Sequence, residues 1–90
     1  MSKKVRINVT QRDIERGIRF TSYTCPIAWA ARRHPELKGC LVAPDSLAFD
    51  NSGWVWVPLP EKACGFVDSF DGGRPVQPFS FTLELPDPQP

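Results

Sequence analysis

The sequence predicts one small α+β domain with the element order β-α-α-β-β-β-α-β. Two segments, one near each end, alternate between apolar and polar residues, which is typical of half-buried strands. A segment after residue 60 places apolar residues at helical spacing and predicts an amphipathic helix. Ten prolines exclude an all-helical bundle, because each proline fixes φ and removes a backbone donor. We therefore expect an antiparallel-rich sheet of four or five strands, with the helices packed on one face and the terminal strands adjacent.

Length and composition indicate a single globular unit. Ninety residues, 41% of them apolar and 23% charged, suit one domain with a thin core. We expect the domain to span residues 1–85 and residues 86–90 to form a flexible proline-rich tail. No apolar run approaches the ~20 residues that cross a bilayer, and the basic start leads into a strand pattern instead of the apolar core of a secretion signal. These features predict no membrane association and a cytoplasmic location.

The first half of the chain predicts one strand and two short helices. Residues 4–9 alternate as a strand does, and Thr10 with Asp13 resembles a capping box before a helix over residues 11–16. Gly17 is interpreted as the left-handed residue that stops this helix. The apolar contacts of the helix are predicted to come from Ile14 and Ile18.

A second helix is predicted over residues 26–33, after a linking loop over residues 20–24. Pro26 suits the first turn of a helix, where its missing N–H has no partner to lose. The helix must stop near His34, because Pro35 disfavours helical geometry in the residue before it. A tight turn over residues 35–39 is expected to follow.

The second half predicts three short strands, one helix and a last strand. The strands fall at residues 40–43, 46–49 and 54–57, and residues 50–53 have the composition of a hairpin turn. From Pro60 a third helix carries one apolar face, and residues 71–73 end it. That face consists of Ala63, Phe66, Val67 and Phe70. Residues 79–85 alternate strictly and predict the final strand.

The net charge of +1 conceals a division between the two halves of the chain. Residues 1–40 carry nine basic and three acidic side chains, whereas residues 41–90 carry two basic and seven acidic ones. This division predicts an electrostatically polar surface and a charged partner. The alternative is that the two halves interleave in the fold and neutralise each other.

The chain has three cysteines and one histidine, which are the residue types of two kinds of site, a thiol nucleophile with its base and a zinc site. Cys25 precedes Pro26 at a helix start, where the helix dipole favours a thiolate. His34, the one candidate base, would lie about 13 Å further along that helix, beyond reach. Zinc ligands usually come in pairs two to four residues apart, and no two of Cys25, His34, Cys40 and Cys64 are that close in the sequence. The sequence therefore predicts three free thiols, no catalytic residue, no metal site and no cofactor; an enzyme dependent on Cys25 stays as a minor alternative.

Two groups of residues are candidates for contact with a partner. The first interleaves basic and aromatic side chains in the first half and consists of Arg12, Arg16, Arg19, Trp29, Arg32 and Arg33. Such a surface is typical of nucleic-acid binding, although a pI near 7.7 is low for a dedicated nucleic-acid binder. The alternative is a solvated helix face.

The second group consists of Trp54 and Trp56, which fall on one face of a predicted strand, with Val55 and Val57 on the other. Facing outward, the tryptophans would form the rigid apolar surface that is typical of interface hot spots. Facing inward, they would belong to the core and the valines would face solvent. The sequence favours binding to a protein and leaves nucleic acid as the alternative. Homodimerisation stays open, because a thin-cored domain gains from covering an edge strand.

Four segments carry a recognisable pattern: Val9-Thr10-x-x-Asp13-Ile14-x-x-Gly17, Cys25-Pro26-Ile27-Ala28-x-Ala30-x-x-Arg33, Leu59-Pro60-x-x-Ala63-x-x-Phe66-Val67, and Phe70-Asp71-x-Gly73-x-Pro75-Val76-x-Pro78-Phe79-x-Phe81-x-Leu83. These segments cover nearly all of the chain outside residues 20–24 and the middle strands. In them the chain resembles small uncharacterised proteins of tailed bacteriophages and prophages. The resemblance implies no particular activity. It implies the cytoplasm of a bacterial host and, as a class, stoichiometric action on a host or phage protein, host-defence systems included.

Overall fold

The computed structural model describes residues 3–37, 39–50 and 53–86, and these contain the predicted order of elements. The strands are β1 (Lys3–Val9), β2 (Leu41–Val42), β3 (Ser46–Asp50), β4 (Trp54–Pro58) and β5 (Phe79–Leu85). The helices are α1 (Gln11–Arg16), α2 (Pro26–Ala31) and α3 (Glu61–Asp71), with a 3₁₀ turn at Pro35–Leu37. The α+β class is confirmed. In the described ranges no helix has the length and apolar content needed to cross a membrane.

The strands of the described ranges pair antiparallel, but in two sheets instead of one. β1 pairs with β5, from Lys3 opposite Leu85 to Val9 opposite Phe79, which confirms that the first and last strands are adjacent. The other sheet has the order β2-β3-β4, and β3 and β4 pair as the predicted hairpin does. Residues 51 and 52 of the predicted turn, and residues 87–90 of the predicted tail, lie outside the described residues.

One core joins the two sheets. Its most enclosed side chains come from β1, α2, the 3₁₀ turn, β3 and β5 and are Ile7, Ile27, Leu37, Leu47 and Leu83. Full burial of a side chain of this size stabilises the fold by about 1.5–3 kcal/mol relative to exposure. The fold therefore depends on contacts between segments that are distant in the sequence.

Helix α1 begins as the sequence predicts, but the glycine after it has another role. The Asp13 N–H donates to Thr10 Oγ1 at 3.2 Å and the Thr10 N–H donates to Asp13 Oδ2 at 2.9 Å, so the capping box is confirmed. Gly17 has φ of −70°, so its predicted left-handed conformation is wrong. A Cβ at Gly17 would lie 2.5 Å from Pro26 Cδ, which shows that the position needs glycine because the chain approaches the start of α2 closely.

Helix α2 is shorter than predicted and ends at Ala31. Arg32 caps it, since its N–H donates to the carbonyl of Ala28 and the next N–H, of Arg33, donates to the carbonyl of Ala30, and the 3₁₀ turn follows. Ile18 was predicted to pack with α1. It is instead 55% exposed, because the chain leaves the helix at Gly17.

Helix α3 follows its predicted amphipathic pattern. Ala63, Phe66 and Val67 are buried and Phe70 is half-buried. The Phe66 ring stacks on Phe79 of β5 with centroids 4.6 Å apart. The helix ends at Asp71, within the predicted residues 71–73, and Gly73 has the positive φ of 77° that favours glycine.

Candidate functional site

The two tryptophans of β4 face solvent. Trp54 and Trp56 are each 57% exposed, whereas Val57 is buried and Val55 packs against the core. The alternative in which the tryptophans belong to the core is therefore wrong. We call Trp54 and Trp56 the tryptophan face.

Strand β3 sets the surroundings of the tryptophan face. Asp50 pairs with Trp54 and Ala48 with Trp56, and partners in an antiparallel pair project from the same side of a sheet. Ala48 is also opposite Leu41 of β2 and is fully buried. Ala48 therefore lies between two larger residues, Leu41 and Trp56, whereas Trp54 lies opposite Asp50.

A second surface alternates cations and aromatic rings. The Arg16 guanidinium lies 4.1 Å from the centroid of Trp29, and that of Arg32 lies 4.9 Å from Trp29 and 4.0 Å from Tyr23. Arg32 also donates to the Tyr23 carbonyl. We call Arg16, Trp29, Arg32 and Tyr23 the Arg–aromatic row. Stacking of this kind holds long arginine side chains in place on an exposed surface.

Arg33 serves the fold, although it was predicted to contact a partner. It donates to both carboxylate oxygens of Asp13, at 2.7 and 2.8 Å, and to the Asn8 carbonyl at 2.7 Å. This paired geometry is the strongest that arginine and a carboxylate adopt. Arg33 thereby ties α1 to β1 and to the end of α2.

Asp13 is the one charged side chain among the described residues that is fully buried. Burial alone would raise the pKa of its carboxyl group, but the hydrogen bonds from Arg33 and Thr10 outweigh burial and lower that pKa to about 2. The carboxylate is thus ionised throughout the neutral range. The hydrogen bond to Asp13 in turn raises the pKa of Arg33.

The remaining predicted contact residues do not join one site. Arg12 is exposed on α1, and the Arg19 guanidinium lies against Gly73, beyond the end of α3. The structure brings together Arg16, Trp29 and Arg32, adds Tyr23, and places the tryptophan face on a different element. The contact of Tyr23 with Arg32 depends on the path of the loop before α2, which the sequence does not reveal.

The three thiols are free, and those of Cys25 and Cys40 are buried. Burial raises the pKa of Cys25, and it raises that of Cys40 to about 11, so both are protonated at neutral pH. A raised pKa is the opposite of what activates a thiol nucleophile. Within the described ranges, no group of three or more His, Cys, Asp or Glu side chains is placed to hold a metal ion.

A cavity of about 200 Å³ opens beside the loop before α2. Cys25, Val42 and Val67 line it together with Phe20 and Asp71. Its volume is below the ~300–1,000 Å³ of typical small-molecule sites.

Phe20 stands out at the rim of the cavity. It has φ of 59° and its ring is 78% exposed, and its N–H donates to Asp71 Oδ1 at 3.0 Å. A left-handed conformation costs about 1–2 kcal/mol for a residue with a Cβ. The hydrogen bond to Asp71 holds the loop in this conformation.

Replacing Phe20 with glycine is expected to raise the free energy of unfolding by about 0.5–1 kcal/mol. The substitution relieves the left-handed backbone, and the greater freedom of glycine in the unfolded chain offsets part of the gain. The measurement is urea denaturation followed by circular dichroism. Phe20→Ala is the control, because it removes the ring and keeps the strain; equal stability of the two variants would contradict the assignment.

Comparison of the chain with protein-family models, with curated proteins and with solved structures finds no match.

Proposed function

We propose that this domain is a non-enzymatic binding protein that holds a partner protein against its tryptophan face. The observation that carries the proposal is the exposure of Trp54 and Trp56 side by side on β4. Tryptophan is enriched in interface hot spots, because its large rigid ring gains contact area at little cost in conformational entropy.

The area of the tryptophan face suits the centre of an interface. A covered aromatic side chain contributes about 150–250 Å², so the pair at 57% exposure would contribute roughly 200–300 Å². A standard interface covers ~800 Å² on each partner. The rest would come from the surrounding rim, where Asp50 lies opposite Trp54 and favours a partner with basic groups near its apolar contact.

The position of β4 supports the same proposal. β4 is the last strand in the order β2-β3-β4, and an outer strand offers backbone groups on the side away from its neighbour. A partner strand that pairs there would bring side chains onto the tryptophan face. By the resemblance described above, the partner is a host or phage protein of the bacterial cytoplasm, and a host-defence protein is one candidate.

The test compares the wild type with Trp54→Ala/Trp56→Ala and with Phe20→Ala/Tyr23→Ala. Each double variant removes two exposed aromatic rings, but from different surfaces. Immobilised proteins are incubated with bacterial lysate, and retained proteins are quantified by mass spectrometry. We expect at least one lysate protein to be retained by the wild type and by the Phe20/Tyr23 variant. The tryptophan variant should retain at least about tenfold less of that protein. Light scattering with chromatography measures self-association of the same samples.

Two results would contradict this proposal. One is equal retention of the enriched protein by the tryptophan variant, which would move the contact to another surface. The other is a wild-type dimer that the tryptophan substitutions dissociate, since the tryptophan face would then be occupied by a second copy of the chain. Circular dichroism of each variant shows whether its fold is intact.

A further inference from the structure

The Arg–aromatic row carries positive charge that its contacts within the protein do not neutralise. Within the described ranges, Arg32 contacts the Tyr23 carbonyl and the rings of Tyr23 and Trp29, none of which is negatively charged. Arg16 approaches Asp13 only at 3.4 Å, whereas Arg33 binds both oxygens of that carboxylate at 2.7 and 2.8 Å. Asp13 is therefore matched mainly by Arg33, and Arg16 and Arg32 together present a cationic surface.

The row also has more hydrogen-bond donors than acceptors. Each guanidinium has five N–H donors, and Arg32 uses one of them on the Tyr23 carbonyl. Trp29 Nε1, on the ring between the two arginines, is buried and has no acceptor among the described residues. That nitrogen is closed to solvent, so the donors that a ligand can reach are those of the two guanidinium groups. A ligand rich in acceptor oxygens would complement the row.

The low net charge of the chain does not describe this surface. The acidic side chains of the second half lie on other elements, with Asp45 just before β3, Asp50 within β3, and Glu61 and Asp68 in α3. Asp68 is paired with Arg74 at 2.6 Å, within its own half of the chain. Asp71 of α3 reaches the loop between α1 and α2, where it accepts from the Phe20 N–H at 3.0 Å. The field at the row is therefore set mainly by Arg16 and Arg32, with Asp71 as the acidic side chain of the second half that approaches the same loop.

We propose that the Arg–aromatic row binds single-stranded nucleic acid, with phosphates at Arg16 and Arg32 and bases stacked on Tyr23 and on the guanidinium planes. Phosphate oxygens supply the charge and the acceptors, and unpaired bases supply rings that stack on aromatic side chains and on arginine. Tyr23 is 51% exposed, which leaves ring surface for a base. An acidic peptide would supply the charge without the rings, and in a duplex the bases are stacked on one another.

The experiment measures fluorescence anisotropy of labelled dT and rU 20-mers titrated with the protein between 20 and 200 mM salt. We expect saturable binding whose logarithmic affinity falls with the logarithm of salt at a slope of about −1.4, the value for two phosphate contacts on a single strand. Arg16→Gln/Arg32→Gln should weaken binding about tenfold or more. Tyr23→Ala, which leaves the Asp13 contacts intact, should weaken it about tenfold through loss of stacking.

The matched control is Lys62→Gln/Arg74→Gln, which lowers the net charge by the same amount on and after α3. Its affinity is expected to stay within about twofold of the wild type. The proposal is overturned by absence of saturable binding at 20 mM salt, by an equal loss in the control, or by tighter binding of poly-glutamate than of either 20-mer, which would assign the row to acidic proteins. Trp54→Ala/Trp56→Ala should bind the 20-mers as the wild type does, so this test is independent of the tryptophan face.

Discussion

Replacing Asp13 with asparagine is expected to lower the free energy of unfolding by about 2–3 kcal/mol at pH 7. Asparagine keeps the volume of the side chain but removes the charge that Arg33 binds with two hydrogen bonds. Breaking a buried ion pair costs about 3–5 kcal/mol when the remaining charge stays buried. Here the loss is smaller, because the Arg33 side chain is 46% exposed and water can solvate it.

The effect of Asp13→Asn should depend on pH in a defined direction. The pKa of Asp13 is about 2 in the folded protein, against 3.8 for an unperturbed aspartate side chain. A lowered folded pKa means that its stabilisation, about 2 kcal/mol, is present above pH 4 and is lost as the pH falls from about 4 to 2. The difference between wild type and variant should therefore shrink across that interval. Urea denaturation at pH 7, 5, 3 and 2 measures it.

Asp68→Asn is the control for this prediction. Asp68 also pairs with an arginine, but both side chains are exposed, and exposed pairs contribute about 0–1 kcal/mol. We expect a change within about 0.5 kcal/mol at pH 7. A loss at Asp13 no larger than that at Asp68 would show that the buried pair does not stabilise the fold.

Replacing Gly17 with alanine is expected to lower the free energy of unfolding by about 2–3 kcal/mol. The added Cβ would lie 2.5 Å from Cδ and Cγ of Pro26 and 2.9 Å from its nitrogen. The proline ring is rigid and begins α2, so α1 and α2 must move apart, and crowding of this kind costs about 1–3 kcal/mol. Thermal and urea denaturation measure the change.

Gly65→Ala is the matched control with the opposite expected sign. A Cβ at Gly65 meets nothing within 4 Å, and the position lies inside α3. Alanine in a helix interior is favoured over glycine by about 0.5–1 kcal/mol. If Gly17→Ala proved as stable as the wild type, the close approach of the two helices would be contradicted.

The local patterns predict the elements well where one physical rule decides. The capping box fixes the start of α1, helical spacing fixes the apolar face of α3, and strict alternation fixes β1 and β5. The role of Gly17 was predicted wrongly, because a glycine signals either a left-handed backbone or a close approach, and the sequence does not distinguish them. The second case applies here, through Pro26.

The candidate surfaces depend more on tertiary contacts. The outward face of Trp54 and Trp56 could not be chosen from the sequence, since both faces of that strand are apolar. The pairing of Asp13 with Arg33 joins residues 20 positions apart, and it withdraws an arginine that the sequence assigned to a partner. The contact of Arg32 with Tyr23 likewise requires the path of the loop.

The pairing of β1 with β5 has a consequence during translation. Ser80 Oγ donates to Asn8 Oδ1 at 2.8 Å although 72 positions separate them, so the first strand leaves the ribosome long before its partner exists. At ~5–20 residues per second this delay lasts on the order of several seconds. During that time the nascent chain exposes an apolar segment that contains Val5, Ile7 and Val9. Exposed apolar segments of this kind are sites that chaperones bind.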